Sequence, residues 1–283
     1  MKVGFVDYYL SEWHANHYPE WFADEAKKAG MDVQIAYAWA ERDCSPVDGR
    51  TTAEWCAEFG VQACESLAEL CEKSDAILIL APSNPEKHLE YAKAVFPYRK
   101  PTYMDKPLAL EYAVAKEILD LAKQYGTPMY SSSSLRFATE LDLCGDCTCV
   151  LVTGGGHNME EELVHPLEIM VKKMGVGAVS VRAERIGEQT HFLFDYADGR
   201  RSCSTFGLRY PFTVYMTQAD GTSKYRAIEP NFFTALVADM LRFFADGNPS
   251  FDPAQTLEVI KLLQASLVAY KEPGKNVLIA EVC

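Results

Sequence analysis

Across roughly the first 135 residues, short apolar runs alternate with amphipathic stretches of helical period, and no other feature constrains the fold as strongly. VGFV (3–6), VQIAYA (33–38), AILILAP (76–82), PTYM (101–104) and TPMYSS (127–132) read as strands, with Val61–Ala63 as a short extra one. Between them the spacing predicts helices at 12–29, 51–59, 65–73, 84–96 and 108–126. Gly30 and Gly126 suit C-caps, and Asn84 followed by Pro85 suits a cap and first helical position. AILILAP has no polar face, as expected of a parallel strand covered on both sides. Such alternation specifies an α/β fold: a doubly wound parallel sheet with right-handed crossovers.

The pattern then changes. GGGHNMEEELVHPLEIMVKKMG (154–175) reads as a glycine-rich entry to a helix. Alternating runs follow at 178–186, 190–197, 201–208, 212–219 and 223–228, with Asp-Gly hairpin signals at 198–199 and 220–221. Helices at 231–246 and 253–271 and a strand at 276–279 complete the chain. The expected division is a doubly wound domain over 1–134 and an α+β domain with an open, mostly antiparallel sheet over 135–283. Ligands of open α/β sheets sit beyond the strands' carboxyl ends. The site should therefore draw on Asp7–Trp13, Ala40–Asp43, Ala81–His88 and Asp105–Pro107.

Charge narrows the partners. The formal net charge is −13 and no lysine or arginine run offsets it, so neither nucleic acid nor an anionic membrane is an expected partner. No apolar run approaches the ~18 residues of a membrane span. The N-terminus enters a strand at once, without the pattern of a secretory leader, and nine cysteines, an odd number, suit reduced thiols. The expected location is the cytoplasm.

TYMDKPLALEYAVAKEI (102–118) is the most specific stretch: a strand ends in Asp-Lys-Pro and a helix follows. It resembles the Glu-Lys-Pro motif of the glucose–fructose oxidoreductase / inositol dehydrogenase (Gfo/Idh/MocA) family. AILILAPSNPEKHLEYAKAVF is similar to that family's strand, proline loop and histidine-bearing helix, and GHNMEEELVHPLEIMVKKMG to its catalytic-histidine helix. The last thirty-odd residues have the look of its C-terminal helix. The resemblance implies a Rossmann domain, NAD or NADP, and hydride transfer to or from a sugar, cyclitol or related polyol. Carried over, it implies that Lys106 is the catalytic lysine and that Glu161 and His165 are the helix acid and histidine, with Glu where most members have Asp.

The residue types suit that chemistry. Oxidation of an alcohol removes the hydroxyl proton as hydride leaves carbon, and a histidine titrating near neutrality can take that proton. An acid at i, i+4 shares its helical face and can orient it, while an ammonium stabilises developing oxyanion charge. Read without the resemblance, Lys106 is a solvated strand end and Glu161–His165 a surface pair worth roughly 0.2–0.5 kcal/mol. The cofactor contacts expected from the strand tips are Asp7, Tyr8, Tyr9, Glu12, Trp13, Glu41, Pro82, Asn84, His88 and Asp105.

The opening turn departs from the family. G-x-G-x-x-G lets backbone approach a diphosphate resting on a helix N-terminus, but Asp7, Tyr9 and Glu12 stand in those places. Each opposing carboxylate costs on the order of 1 kcal/mol even when partly screened. Two readings stand: NAD(P) in an altered pose, or a pocket converted so that Tyr8, Tyr9 and Trp13 face a sugar. The second reading leads to a cofactor-free lyase or isomerase, or a non-catalytic sugar-binding regulator. A third alternative is a metal-dependent enzyme using His157, Glu161 and His165, at i, i+4 and i+8. CGDCTC (144–149) lacks a second thiol pair at the usual distance and reads as reduced cysteines around a turn. Apolar positions on the open sheet, together with the resemblance, lead to an expected homodimer or homotetramer built on that sheet.

Overall fold

The unbroken apolar runs of the N-terminal half become a single parallel sheet. The computed structural model describes residues 1–283 and divides them into two compact units. One comprises Met1–Leu108, Lys116–Ser131 and Leu236–Phe251; the other comprises Ala109–Ala115, Ser132–Ala235 and Asp252–Cys283.

In the first unit the strands are β1 (Lys2–Asp7), β2 (Gln34–Ala40), β3 (Gln62–Ala63), β4 (Ala76–Ile79), β5 (Thr102–Met104) and β6 (Met129–Tyr130). Their order is β3-β2-β1-β4-β5-β6, and every pairing is parallel. The helices are α1 (Trp13–Ala29), α2 (Thr52–Phe59), α3 (Leu67–Lys73), α4 (His88–Val95) and α5 (Tyr112–Tyr125). All four β4 side chains are buried, as their lack of alternation requires. α1 buries Ala15, Tyr18, Phe22 and Ala26 along one face and ends at Gly30 in the left-handed region. At the other end of β1, Gly4 lets α3 approach: a Cβ there would meet Leu70 at 2.7 Å. Strand order reverses between β1 and β4, so the crevice that ligands use in such sheets opens at the tips of these strands. The expected Asn84 cap is not made by its side chain, although Pro85 does open the turn that leads into α4.

In the second unit, a strand that the sequence pattern did not reveal, β7 (Cys149–Gly155), lies mid-sheet. It precedes α6 (Met159–Glu162) and α7 (Val164–Met174). Then come β8 (Ala178–Ile186), β9 (Gln189–Tyr196), β10 (Arg201–Gly207), β11 (Thr213–Thr217) and β12 (Ser223–Ala227). Helices α8 (Phe232–Asp246) and α9 (Pro253–Lys271) and strand β13 (Asn276–Leu278) close the chain. The sheet order is β12-β11-β7-β10-β9-β8-β13, antiparallel throughout except β7 against β10. Helices α7 and α9 pack together on one face of it. The sequence reading assigned all of 135–283 to one domain, whereas Leu236–Phe251, most of α8, groups with the first unit.

The glycine-rich stretch before α6 is a packing device. A Cβ on Gly154 would meet the Phe212 ring at 2.7 Å, and one on Gly155 would meet the Gly207 carbonyl and Tyr210 N, the latter at 2.6 Å. These glycines belong to the end of β7, not to a helix entry.

Candidate functional site

The tips of β1 and β5 and the start of α1 place three carboxylates around one imidazole. Asp7 ends β1, Glu12 caps α1, His14 lies in its first turn, and Asp105 follows β5. Glu12 uses both carboxylate oxygens: Oε2 accepts from His14 N at 2.8 Å, and Oε1 accepts from Ala15 N. His14 Nδ1 pairs with Asp105 Oδ2. Asp7 Oδ1 accepts from Tyr8 N at 2.7 Å and from Ala81 N at 3.0 Å, whereas its buried Oδ2 has no partner. All four side chains are buried.

Burial sets their charges. It pushes the Asp7 carboxyl well above its ordinary range, and the Glu12 charge adds to the push. Burial also raises Glu12, against the opposing pull of His14. For His14, burial acts downward, but the Asp105 carboxylate overrides it and the net shift is upward. For Asp105, burial acts upward, yet the His14 charge and hydrogen bond hold the carboxyl low. His14 and Asp105 therefore form a buried ion pair, flanked by two carboxyls whose pKa burial raises, Asp7 more than Glu12.

Lys106 is buried, its backbone N–H donates to Asp105 Oδ1 at 2.8 Å, and no hydrogen bond or ion pair engages its ammonium. An ammonium without a hydrogen-bond partner on a largely buried side chain has donor capacity that a ligand oxygen can take up. The remaining expected contacts of this unit divide. Tyr8 and Tyr9 meet edge to face at 5.9 Å, and Trp13 is half exposed against the His17 ring at 4.4 Å. Glu41, beyond β2, is engaged by Lys87 at 2.6 Å and by the Tyr91 hydroxyl at 2.9 Å, and the Lys87 hydrogen bond lowers its pKa. Pro82 is buried in the turn after β4, and Asn84 donates to Glu86. His88, expected among the cofactor contacts, is instead a brace. It is fully buried, with its ring nitrogens at 3.0 Å from the Leu108 carbonyl and 2.8 Å from the Leu80 carbonyl. Burial lowers its pKa.

In the second unit His165 lies on α7, one residue into that helix. Its Nδ1 is 2.7 Å from Ser133 Oγ, and its Nε2 is 3.1 Å from Glu162 Oε2. The Nε2 contact thus goes to the acid at i−3, Glu162, next in sequence to the Glu161 expected at i−4. The helical run breaks at Leu163, between α6 and α7, and Glu161 Oε1 accepts from Asn158. An ionised Glu162 places the imidazole proton on Nε2, so Nδ1 accepts from the Ser133 hydroxyl, which itself accepts from Leu135 N at 3.1 Å. Ser133 also donates its N–H to Glu168 Oε2, the carboxylate that holds the buried Arg136 guanidinium. Ser133 and Glu162 escaped the sequence reading: Ser133 sits in a run of four serines with no distinguishing pattern, and Glu162 is one of three consecutive acids. No group of three His, Cys, Asp or Glu side chains is arranged to hold a metal ion, so His157, Glu161 and His165 do not form the ligand set considered above.

Residues 44–132 match the model of an oxidoreductase family with an NAD-binding Rossmann fold (GFO_IDH_MocA). Over this segment, just under a third of the chain, the sequence is similar to the Gfo/Idh/MocA oxidoreductase family. The resemblance read from Asp105–Lys106–Pro107 is thereby upheld, and the family's cofactor is NAD. No curated protein is similar enough in sequence to count as a match. Solved structures share the fold. A probable dehydrogenase from Thermotoga maritima superposes with TM-score 0.80 at 13% identity, covering 100% of both chains. A UDP-N-acetylglucosamine 3-dehydrogenase from Acidithiobacillus ferrooxidans gives 0.76 at 15%, covering 95% of this chain and 97% of the other. A scyllo-inositol dehydrogenase from Lactobacillus casei gives 0.75 at 14%, covering 99% and 98%.

The Gfo/Idh/MocA match begins at Cys44, beyond β1, α1 and β2, and so leaves out the turn on which a Rossmann unit rests its diphosphate. In this chain the Glu12 carboxylate already holds the first-turn N–H groups of α1, and Asp7 and Asp105 add acid beside it. With Glu12 so placed, these residues do not fit a diphosphate in that position.

Proposed function

We propose that this chain is an oxidoreductase acting on an alcohol carbon of a sugar, cyclitol or related polyol, with Lys106 and His165 handling the hydroxyl proton. The observation that carries the reading is the family match over residues 44–132, which includes the Asp105–Lys106–Pro107 motif. Fold neighbours named for a sugar nucleotide and an inositol support the substrate class. Lys106 suits stabilisation of a developing alkoxide because its side chain is largely buried and its ammonium has no internal hydrogen-bond acceptor. His165 suits the base because Ser133 supports either tautomer: its hydroxyl donates to a bare Nδ1 or accepts from Nδ1–H once Nε2 turns from Glu162 to a substrate proton. The roles of Lys106, His165 and Glu161 come from the family resemblance; the contact between His165 Nε2 and Glu162 adds a further acid to test.

Polyols and nucleotide sugars screened with NAD(H) and NADP(H) by absorbance test the reading. Lys106→Ala and His165→Ala are each expected to reduce turnover at least ~100-fold. Full turnover in either variant removes that residue from the mechanism.

A second reading, the same fold without redox activity, is favoured by Glu12 at the α1 terminus. It covers a lyase, an isomerase or a sugar-binding regulator. Native mass spectrometry separates the two, since a stoichiometric dinucleotide in the purified protein eliminates this one. All nine cysteines are free, which supports a reducing compartment such as the cytoplasm. No helix is long and apolar enough to cross a membrane. The exposed face of the second sheet supports self-association as a homodimer or homotetramer.

A further inference from the structure

We infer that Glu12 is a built-in occupant of the diphosphate position, so that a dinucleotide gains the first-turn N–H groups of α1 only by expelling this carboxylate. The inference rests on the NAD reading of the Rossmann unit and adds the residue that sets its nucleotide selectivity.

Three observations carry it. Glu12 binds in bidentate fashion, one oxygen on His14 N and the other on Ala15 N, which are the donors a diphosphate requires. A single side chain has thus saturated a site that glycine-rich turns leave open for ligand. Asp7, beside it, is almost wholly buried, and its Oδ2 has no partner. An orphaned buried oxygen at this spot marks polar capacity the chain itself does not meet, on a carboxyl that senses the Glu12 charge. Finally, Glu12 is held from one side only. The opposing charge nearest it is the His14 imidazolium, and His14 is already committed to Asp105. No lysine or arginine anchors Glu12, so an incoming anion competes with its two backbone hydrogen bonds and with a His14 charge already shared with Asp105.

Glu12 is therefore a selectivity element: it discriminates against ligands that bring a diphosphate to α1 and leaves the adenosine end, near the tip of β2, unaffected. The titratable groups that interact electrostatically with it are Asp7, His14, Tyr18 and Asp105.

Calorimetric titration of the full chain with NAD, ADP and adenosine tests this, using wild type, Glu12→Ser and Glu12→Gln. Serine keeps a helix cap while removing the charge and vacating space; glutamine keeps the length and removes the charge. The expected result is a Kd for NAD and for ADP at least 10-fold lower in Glu12→Ser than in wild type, a smaller gain in Glu12→Gln, and adenosine unchanged within 2-fold. Thermal melting verifies folding, and if the serine variant is unfolded the glutamine variant decides. Tight NAD binding by wild type with no gain in either variant overturns the inference alone. An equal gain for adenosine also overturns it, because it indicates general loosening. Absence of NAD binding in all three proteins overturns both the inference and the NAD reading on which it rests.

Discussion

Asp7 shows what a single buried carboxyl does to a strand tip. One of its oxygens accepts two backbone N–H groups while the other has no partner, and burial holds its pKa well above the ordinary value. Below about pH 4 the side chain is protonated in both the folded and unfolded states. Above that pH the unfolded chain loses the proton and the folded chain retains it, so this residue weakens the fold progressively as pH rises towards its folded pKa. Asp7→Asn keeps an acceptor for Tyr8 and Ala81 and removes the titration. Its Tm advantage over wild type should grow between pH 4 and pH 8; an advantage that does not change with pH assigns no titration to Asp7. The His14–Asp105 pair has a bounded window. Asp105, held low, contributes above its unfolded pKa and loses that contribution as pH falls through the folded value. His14, held high, contributes fully below about pH 6.5 and loses it as pH rises through its folded value.

At the scale of elements, the parallel strands of the first unit were legible because each is an apolar run of the right length between capped helices. β7 was not. Its Val150 and Val152 alternate with exposed Leu151, but the strand ends in glycines that resemble a helix entry, and only its neighbours show why they are there. The close approach of the Gly207 carbonyl and Tyr210 to Gly155 comes from residues some fifty positions away in sequence. Gly155→Ala should therefore cost about 2 kcal/mol, since backbone must move to admit the methyl, or roughly 5 °C in Tm. Gly145→Ala is the control: its Cβ would meet nothing nearer than Gln218 Nε2 at 3.7 Å, and its Tm should stay within about 1 °C of wild type. Equal effects at the two sites contradict the packing account. The pairing of His165 was illegible for a similar reason. Helical spacing points equally to residues three and four positions back, and only the folded chain shows Glu162 within reach of Nε2.

For the molecule as a whole, the face of the second sheet away from α7 and α9 carries a cross-strand row. Tyr225, Tyr215, Leu151, Cys203 and Leu193 stand in register on five adjacent strands. Apart from half-buried Cys203, each is at least 37% exposed, and together they form a contiguous, largely apolar row of the kind that a second copy can cover. Light scattering after size exclusion should give a dimer or tetramer, and Leu151→Lys with Tyr215→Glu should shift it towards monomer without lowering Tm by more than about 2 °C. A wild-type monomer at micromolar concentration ends this proposal. Sequence alone determined the layered α/β plan and the antiparallel character of the second sheet, because period and punctuation are local properties of the chain. It also placed Lys106 after a strand and His165 on a helix. Only tertiary structure decided that Glu12 turns back onto its own helix, that His14 meets Asp105 across ninety-one residues, and that Ser133 reaches His165. Those pairings depend on which groups are buried together, and burial, which fixes both their charge and their hydrogen-bond demands, is a property of the packed chain.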